Sequence, residues 1–409
     1  MQQNECMKYF AATDSLYEIT EKYPETLRVF LAHGFSQLAD AGKRATFGKA
    51  IQLDIALQMK QIDVELFVHA LEEAISGNAS SAHRERNENK VYMKGLLPCP
   101  VRLPLQEALD GFVAAKQEEG VEIHAELKAA SMGLDWIKEE VAEATSADML
   151  DDLYLSAGFD MFFEDMYFGR FIKEGSFADP IRRNKINAAF DGIGLTDPHG
   201  RYGIIAVVPA VFLINTDLLN GRQIPQSWAD LLNPEWERSV SLPVSDFDLF
   251  NAILLTIDKT YGREAVAALG RNMLQSLHPA QMVKSDRLKV NKPTVTIMPN
   301  FFTKMAKEGG VMKAVWPADG AIISPVFMIA RNPVSKHLQQ LAELLAGPEA
   351  ATILAHQGLF PTVHPDVDNR LGPDKKFLWL GWDYIDNHNL NRRFAECHEA
   401  FEQNSIILT

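Results

Sequence analysis

The chain has 409 residues, of which 47% are hydrophobic and 23% are charged. This is the composition of an ordinary folded protein, and the length excludes a single small module, because a domain takes roughly 100–200 residues. The 40 basic residues are outnumbered by 54 acidic ones, which gives a net charge of −14. Such a balance excludes the basic surface that nucleic acids or anionic membranes require.

The cysteines and the first residues bear on cellular location. Cys6, Cys99 and Cys397 lie far apart and form no C-x-x-C pair, so neither a disulfide framework nor a zinc site is expected. The start, MQQNECMKYFAATDS, shows no basic stretch followed by an apolar run. The sequence therefore predicts a cytoplasmic protein without a secretory signal. No apolar run reaches the roughly 20 residues that span a bilayer, so no membrane insertion is predicted.

The first segment has helical periodicity from Thr13 to about Ile75. Ser15 and Glu18 have the spacing of a capping box at the start of the first helix. The third helix is expected to run from Thr46 through Met59. The pattern predicts a small all-helical domain.

The next segment, 78–90, is polar throughout and has the composition of an exposed linker. The predicted domains are therefore 1–77, a helical domain; 78–90, the linker; and 91–409, the main domain.

From Val91 onward, short apolar runs alternate with helical stretches, which is typical of an α/β protein. Strands are predicted at 91–98, 121–127, 152–158, 202–215, 239–244, 293–299 and 320–330. Helices are predicted at 105–117, 134–144, 227–232, 249–260, 263–274, 301–308, 335–345 and 348–356.

Two long apolar strands, 202–215 and 320–330, enclose an α/β stretch. This arrangement favours a chain that leaves one lobe, builds a second and returns, although one larger sheet with an insertion would give the same pattern. The predicted first lobe comprises about 91–205 and 316–409, and the second about 206–315. A last helix from about Asn389 is expected to pack on the first lobe.

The first segment contains the motif TDSLYEITEKYPETLRVFLAHGFSQLAD. It resembles a small helical domain of unknown function that also occurs at the front of di-iron proteins that repair iron-sulfur clusters. Members commonly carry C-x-x-C soon after the HG pair, whereas Gln37 and Asp40 occupy those places here. This departure does not support thiol chemistry or binding of a soft metal by the domain, and a docking or dimerisation bundle is expected instead.

The rest of the chain carries a longer series of motifs. In order, these are PCPVRLPL, YLSAGFD, YGIIAVVPAVFLINTD, PQSWADLLNPEWERSVSLPVSD, TIMPNFFTKM, WPADGAIISPVFMIARNP and LLAGPEAATILAHQGLFPTVHP. Over roughly 91–370 the chain resembles the two-lobed solute-binding proteins of ATP-driven transporters, in the branch often labelled as ferric-iron binding. The resemblance implies a two-lobed fold of the type 2 periplasmic-binding-protein kind, a ligand cleft between the lobes, and a permease and ATPase as partners. It also implies a periplasmic location, in conflict with the missing signal.

Ligands of such folds lie where strand carboxyl ends and helix amino ends face the cleft. Three loops fit this rule, at 98–100, 156–160 and 243–246. The aspartates and serines there have ordinary alternative roles as helix caps or solvated side chains, and the cysteine and phenylalanines as packing residues. The candidate ligand contacts are Cys99, Ser156, Gly158, Phe159, Tyr202, Ser245, Asp246, Asn300, Phe301 and Asp319.

The identity of the ligand stays open. The iron binders of that branch commonly supply adjacent tyrosines, but no two of the nine tyrosines are adjacent and none lies between Tyr261 and Tyr384. The late histidines lack metal-site spacing. A small polar metabolite, an organic or phosphonate-like anion, or a metal chelate would fit.

No motif for nucleotide binding, an α/β-hydrolase or a zinc protease is present, so the sequence predicts neither an enzyme nor a cofactor. The predicted function is capture of a small polar or anionic ligand, with a metal as an alternative, for an ABC-type transport system. Two other readings stay open: a cytoplasmic ligand sensor or metal-handling protein with the helical domain as docking module, and a purely structural partner.

Overall fold

The computed structural model describes residues 9–33, 35–60, 62, 64–76, 87–129, 133–244, 247–276, 283–288, 290–307 and 309–405. The chain divides into two compact units. The first comprises Met1–Glu85 and Lys128–Trp136, and the second comprises Arg86–Leu127 and Ile137–Thr409. Most of the predicted linker, 77–86, lies outside the described residues.

The first unit is helical, as predicted. Its helices are α1 (Leu16–Lys22), α2 (Thr26–Ala32), α3 (Ala41–Lys43), α4 (Leu53–Lys60) and α5 (Val64–Ser76).

The capping box of α1 is confirmed, because Glu18 N–H donates to Ser15 Oγ at 3.1 Å and Ser15 N–H donates to the Glu18 carboxylate at 2.9 Å. The prediction of one helix from Thr46 to Met59 is wrong. A π-helical turn ends at Gly48, and the chain then extends so that Leu53 N–H donates to Asp14 O at 3.0 Å.

The second unit contains a sheet with helices around it. Its strands are β1 (Lys90–Leu97), β2 (Glu122–Ala129), β3 (Leu153–Ser156), β4 (Phe177–Ala178), β5 (Gly203–Asn215), β6 (Val240–Leu242), β7 (Met273–Ser276), β8 (Val295–Pro299), β9 (Met312–Val315), β10 (Ala321–Arg331) and β11 (Phe377–Leu378). Its helices are α6 (Cys99–Glu118), α7 (Asp135–Glu143), α8 (Phe159–Phe163), α9 (Phe168–Lys173), α10 (Trp228–Leu231), α11 (Phe247–Tyr261), α12 (Arg263–Asn272), α13 (Lys336–Leu345), α14 (Pro348–Thr352), α15 (Trp382–Asn387) and α16 (Leu390–Glu402).

All seven predicted strands are present. The strands of the sheet follow the order β2-β1-β3-β10-β5-β8-β6-β7, with β4 and β11 paired to β10 and β9 paired to β5. The strands that the sequence did not predict have two to four residues, too few to show a periodic pattern.

The two long strands hold the sheet together. β5 pairs with β10 along 203–210 and with β8 along 210–214. Twelve of the 13 residues of β5 and ten of the 11 of β10 are buried, which explains their continuous apolar sequences. The sheet is therefore continuous. We call the part with β2, β1 and β3 the β1 half, and the part with β8, β6, β7 and β9 the β8 half.

Helix α6 begins at Cys99, six residues before its predicted start. Pro100 lies in the first turn, where a missing N–H costs nothing. Val101, Leu105 and Leu109 then pack into the main core, beneath the strands of the β1 half and beside α13 and α14.

The C-terminal helix α16 packs against α11 and α12. The sequence assigns those two helices to the second lobe. The expected packing on the first lobe is present only in part, through the ring contact of Phe394 with Phe159 at 6.2 Å. The stripe of Phe394, Cys397 and Phe401 faces inward, as predicted, and burial raises the pKa of Cys397 to about 12. Among the described residues, no helix has both the length and the apolar character to cross a membrane.

Gly270 on α12 allows the close approach of α16, because a Cβ there would lie 2.5 Å from Phe401 O. We predict that Gly270→Ala lowers the free energy of unfolding by about 1–3 kcal/mol through overpacking. The matched control is Gly111→Ala in α6, where nothing lies within 4 Å of the added Cβ. This control should gain about 0.5–1 kcal/mol from helix propensity. Urea unfolding compares the two; equal stabilities would contradict the close packing of α16.

Candidate functional site

The strand directions make the two halves of the sheet face each other. β1 and β3 are parallel, β10 runs opposite to β3, and β5 runs opposite to β10. β8 runs opposite to β5, and β6 is parallel to β8. The carboxyl ends of β1 and β3 therefore point toward the β8 half, and those of β8 and β6 point toward the β1 half.

The distance between the two sets of strand carboxyl ends follows from the strand register. Ser156, the last residue of β3, pairs with Phe327 on β10, which in turn pairs with Ile204 on β5. Pro299, the last residue of β8, pairs with Ala210. Because Ile204 and Ala210 are six residues apart, the ends are separated by about 20 Å along the strand. We call this space the cleft.

On the side of the β1 half, the cleft receives the start of α6 and the turn that follows β3. Pro98 is the N-cap of α6 and provides no side-chain cap. In the turn, Ser156 Oγ accepts the Gly158 N–H at 3.0 Å. The Ser324 hydroxyl of β10 donates to Ala157 O at 3.3 Å, which ties this turn to the crossing strand.

On the side of the β8 half, Asn300 and Phe301 begin a 3-10 turn (Asn300–Met305) directly after β8. The rings of Phe301 and Phe360 lie 6.5 Å apart, and Lys304 Nζ donates to His356 O at 3.3 Å. Two turns from opposite halves therefore meet at the cleft.

The turn at 356–360 also reaches the start of α6. A Cβ on Gly358 would lie 2.4 Å from a methyl of Val101 in the first turn of α6. The start of α6, the 356–360 turn and the 300–305 turn thus form one cluster, and the serine turn after β3 lies beside it in the sheet.

The electrostatics of this edge favour an anion or a neutral polar group. The uncapped start of α6 carries the partial positive charge of a helix amino end. The nearby carboxylate of Asp160 is paired with Lys138 at 2.7 Å. Burial, together with the charge of Asp160, raises the pKa of Glu164. The charge of Asp160 is therefore offset by that of Lys138.

Phe159 and Tyr202 are not brought to the cleft surface. Phe159 is fully buried against Phe327 and Trp379. Tyr202 precedes β5, stacks on Trp382 at 5.5 Å and donates its hydroxyl hydrogen to Phe162 O at 3.3 Å. Both rings are core residues, contrary to their expected role as ligand contacts.

Asp319 has a role in holding the fold. Its Oδ2 accepts the backbone N–H of Trp228 at 2.9 Å and the hydroxyl of Tyr261 at 2.6 Å. The carboxylate thus caps α10 and ties it to α11, while burial and this contact raise the pKa of Tyr261. The expected ligand contact is replaced by a structural one.

The remaining candidates fall outside what the structure describes: Ser245, Asp246 and the side chain of Cys99. Ser324, Lys304 and Phe360 were not predicted as residues of the cleft. Phe360 belongs to one of the quoted motifs, but nothing local distinguishes a turn that faces a cleft from one that faces solvent. Within the described ranges, no group of three or more His, Cys, Asp or Glu side chains could hold a metal ion.

Two family models match the chain. Residues 148–388 match the model described as bacterial extracellular solute-binding protein, and residues 11–68 match a domain of unknown function, DUF1858. Both resemblances predicted from the sequence are confirmed. Comparison with curated protein sequences finds no significant match.

Several solved structures share the fold. The apo ferric ion-binding protein A of Pasteurella haemolytica has a TM-score of 0.53 at 14% identity, covering 76% of this chain and 98% of its own. An ABC transporter structure from Clostridium perfringens has a TM-score of 0.53 at 15% identity, covering 76% and 99%. The periplasmic binding protein AfuA of Actinobacillus pleuropneumoniae, with fructose 6-phosphate bound, has a TM-score of 0.51 at 14% identity, covering 76% and 97%. The predicted fold class is confirmed.

The family corrects the predicted location. Its members are described as extracellular, so the prediction of a cytoplasmic protein is wrong. The match spans more than half of the chain, including the crossing strands β5 and β10 and the turns at 156–158, 300–305 and 356–360. The chain belongs to the bacterial extracellular solute-binding protein family.

Proposed function

We propose that the protein captures a small polar or anionic solute in the cleft and delivers it to the permease of an ABC-type transport system. The observation that carries the proposal is the opposition of two sets of strand carboxyl ends across β5 and β10. Ligands of open α/β sheets bind at such ends, where backbone N–H groups remain unpaired.

The proposed mechanism is closure of the two halves on the ligand. Contacts from both halves would stabilise the closed state by the difference between its affinity and that of the open state. The chain contains no nucleotide-binding motif, so the energy for transport would come from a partner ATPase. In this role the protein binds and releases its ligand without chemical change.

The proposed contacts are Ser156 and Gly158, in the turn after β3, and Asn300 and Phe301, in the turn after β8. The uncapped start of α6 adds a favourable site for a negative group. Cys99, Ser245 and Asp246 stay predictions from the sequence. Ferric ion and fructose 6-phosphate, named in the structures of relatives, define two ligand classes to compare.

Native mass spectrometry of protein purified from its own host tests the proposal directly. We expect a mass excess over the denatured chain, with elemental analysis separating a metal chelate from an organic solute. An empty protein whose melting temperature is unchanged by fructose 6-phosphate, other phosphorylated sugars, organic acids and ferric citrate would contradict capture of a small solute.

A negative charge introduced at the cleft tests the position of the site. Asn300→Asp places a carboxylate beside the 300–305 turn, and we expect it to weaken binding of an anionic solute at least tenfold, about 1.4 kcal/mol. Asn300→Ala should have a smaller effect, because it adds no repulsion. The matched control is Asn387→Asp, which makes the same change at an exposed position on α15. Titration calorimetry measures the three affinities; equal affinities for Asn300→Asp and Asn387→Asp would place the ligand elsewhere.

A further inference from the structure

A second concave site lies in the β1 half, apart from the cleft. It is a recess formed by the start of β5 and the segment that precedes it. Its lining includes Asp179, Arg183, Asp197 and Tyr202, with Met328 and Val363 on the opposite walls. None of its lining residues belongs to the turns that form the cleft.

The first of its two carboxylates, that of Asp197, already has an ion-pair partner within the protein. The side chain of Asp197 is inaccessible to solvent and pairs with Arg201 at 2.9 Å. It also accepts the backbone N–H groups of Arg201 and Tyr202. Arg201 pairs in turn with Asp386 at 2.7 Å. Asp197 therefore has both an ion-pair partner and backbone donors without a ligand.

The second carboxylate, that of Asp179, differs in its partners. Its Oδ1 accepts the backbone N–H of Ile181 at 2.8 Å, but the carboxylate has no ion-pair partner within the described part of the chain. Burial raises its pKa, an effect that outweighs the charge of the exposed Arg182 nearby. A Cβ at Gly203 would lie 2.6 Å from Oδ1, so the carboxylate rests directly on the backbone of β5.

Arg183 carries the opposite charge in the same recess. Its guanidinium donates to the backbone oxygen of Ala346, and among the described residues no carboxylate lies within the 4.0 Å of an ion pair. Burial lowers its pKa, while Asp179 and Asp366 act on it from a greater distance. The neighbouring His364 brings no negative charge, and burial and the charge of Arg183 lower the pKa of its imidazole.

Two half-buried charges of opposite sign therefore share one recess without pairing to each other. A ligand that carries both a carboxylate and an ammonium group would pair with both, and half-buried charges gain most from such pairing. Ile181, Ile186 and Met328 supply apolar walls for a side chain. We propose that this recess is a second binding site, and that its ligand is a free α-amino acid with an apolar side chain.

In this site Arg183 holds the carboxylate, Asp179 holds the ammonium group, and the apolar walls contact the side chain. The proposal does not depend on the proposed function, since the two sites have no lining residue in common. A ligand here would contact only the β1 half, so it would not by itself favour closure.

Titration calorimetry with L-alanine, L-valine and L-leucine tests the site, with two analogues of valine as probes of its charges. These are 3-methylbutanoate, which lacks the amine, and isobutylamine, which lacks the carboxylate. We expect L-valine to bind at least tenfold more tightly than either analogue. Failure of all three amino acids to bind the unmodified protein would overturn the proposal.

Variants test which residue binds the carboxylate and which binds the ammonium group of the ligand. Asp179→Asn should reduce the affinity for L-valine to that for 3-methylbutanoate, and Arg183→Gln should abolish binding of both. The controls are Arg182→Gln, which removes the adjacent exposed guanidinium, and Asn300→Asp in the cleft; both should leave the affinity for L-valine unchanged. The proposal is overturned if Asp179→Asn still binds L-valine more tightly than 3-methylbutanoate. It is also overturned if Asn300→Asp no longer binds L-valine, because that result would place the amino acid in the cleft. Should Arg183→Gln fail to fold, the Asp179→Asn comparison decides alone.

Discussion

The pairing of β5 with β10 is the interaction on which the rest of the second unit depends. Both strands are buried along almost their whole length. β10 also bonds to β3 and β4 at one end and to β11 at the other, and the carboxyl end of β5 bonds to β8 and β9. Buried strands cannot leave their backbone groups unpaired, so their register is firmly specified. That register fixes where the other strands end, and therefore the span of the cleft.

The cleft is built mainly from backbone and turns. The hydroxyl oxygen of Ser156 accepts a hydrogen bond from the backbone N–H of Gly158, and Phe301 packs toward Phe360. Few charged side chains are described at this edge, and Asp160 is already paired. A site of this kind recognises its ligand through helix ends and N–H groups, which suits a polar or anionic solute. The recess beside β5 differs, because it depends on two charged side chains that lack ion pairs.

Several residues show how far local patterns reach. The capping box at Ser15 and Glu18 was predictable because both partners lie within one helical turn. Asp319 was not, because the N–H and hydroxyl that it binds belong to Trp228 and Tyr261, distant in sequence. Tyr202 was predicted as a ligand contact, but its ring stacks on Trp382 from the C-terminal segment, which is distant in sequence.

The sequence by itself determined the helical first unit, the seven main strands and the family resemblance, because periodicity, caps and motifs are local properties of the chain. The tertiary structure alone decided that β5 and β10 pair, that α16 packs on α12 through Gly270, and that Asp179 and Arg183 share a recess. The physical reason is the same in each case. Which charge stays unpaired, and which turn faces a cleft, depends on partners that folding brings together from distant parts of the chain.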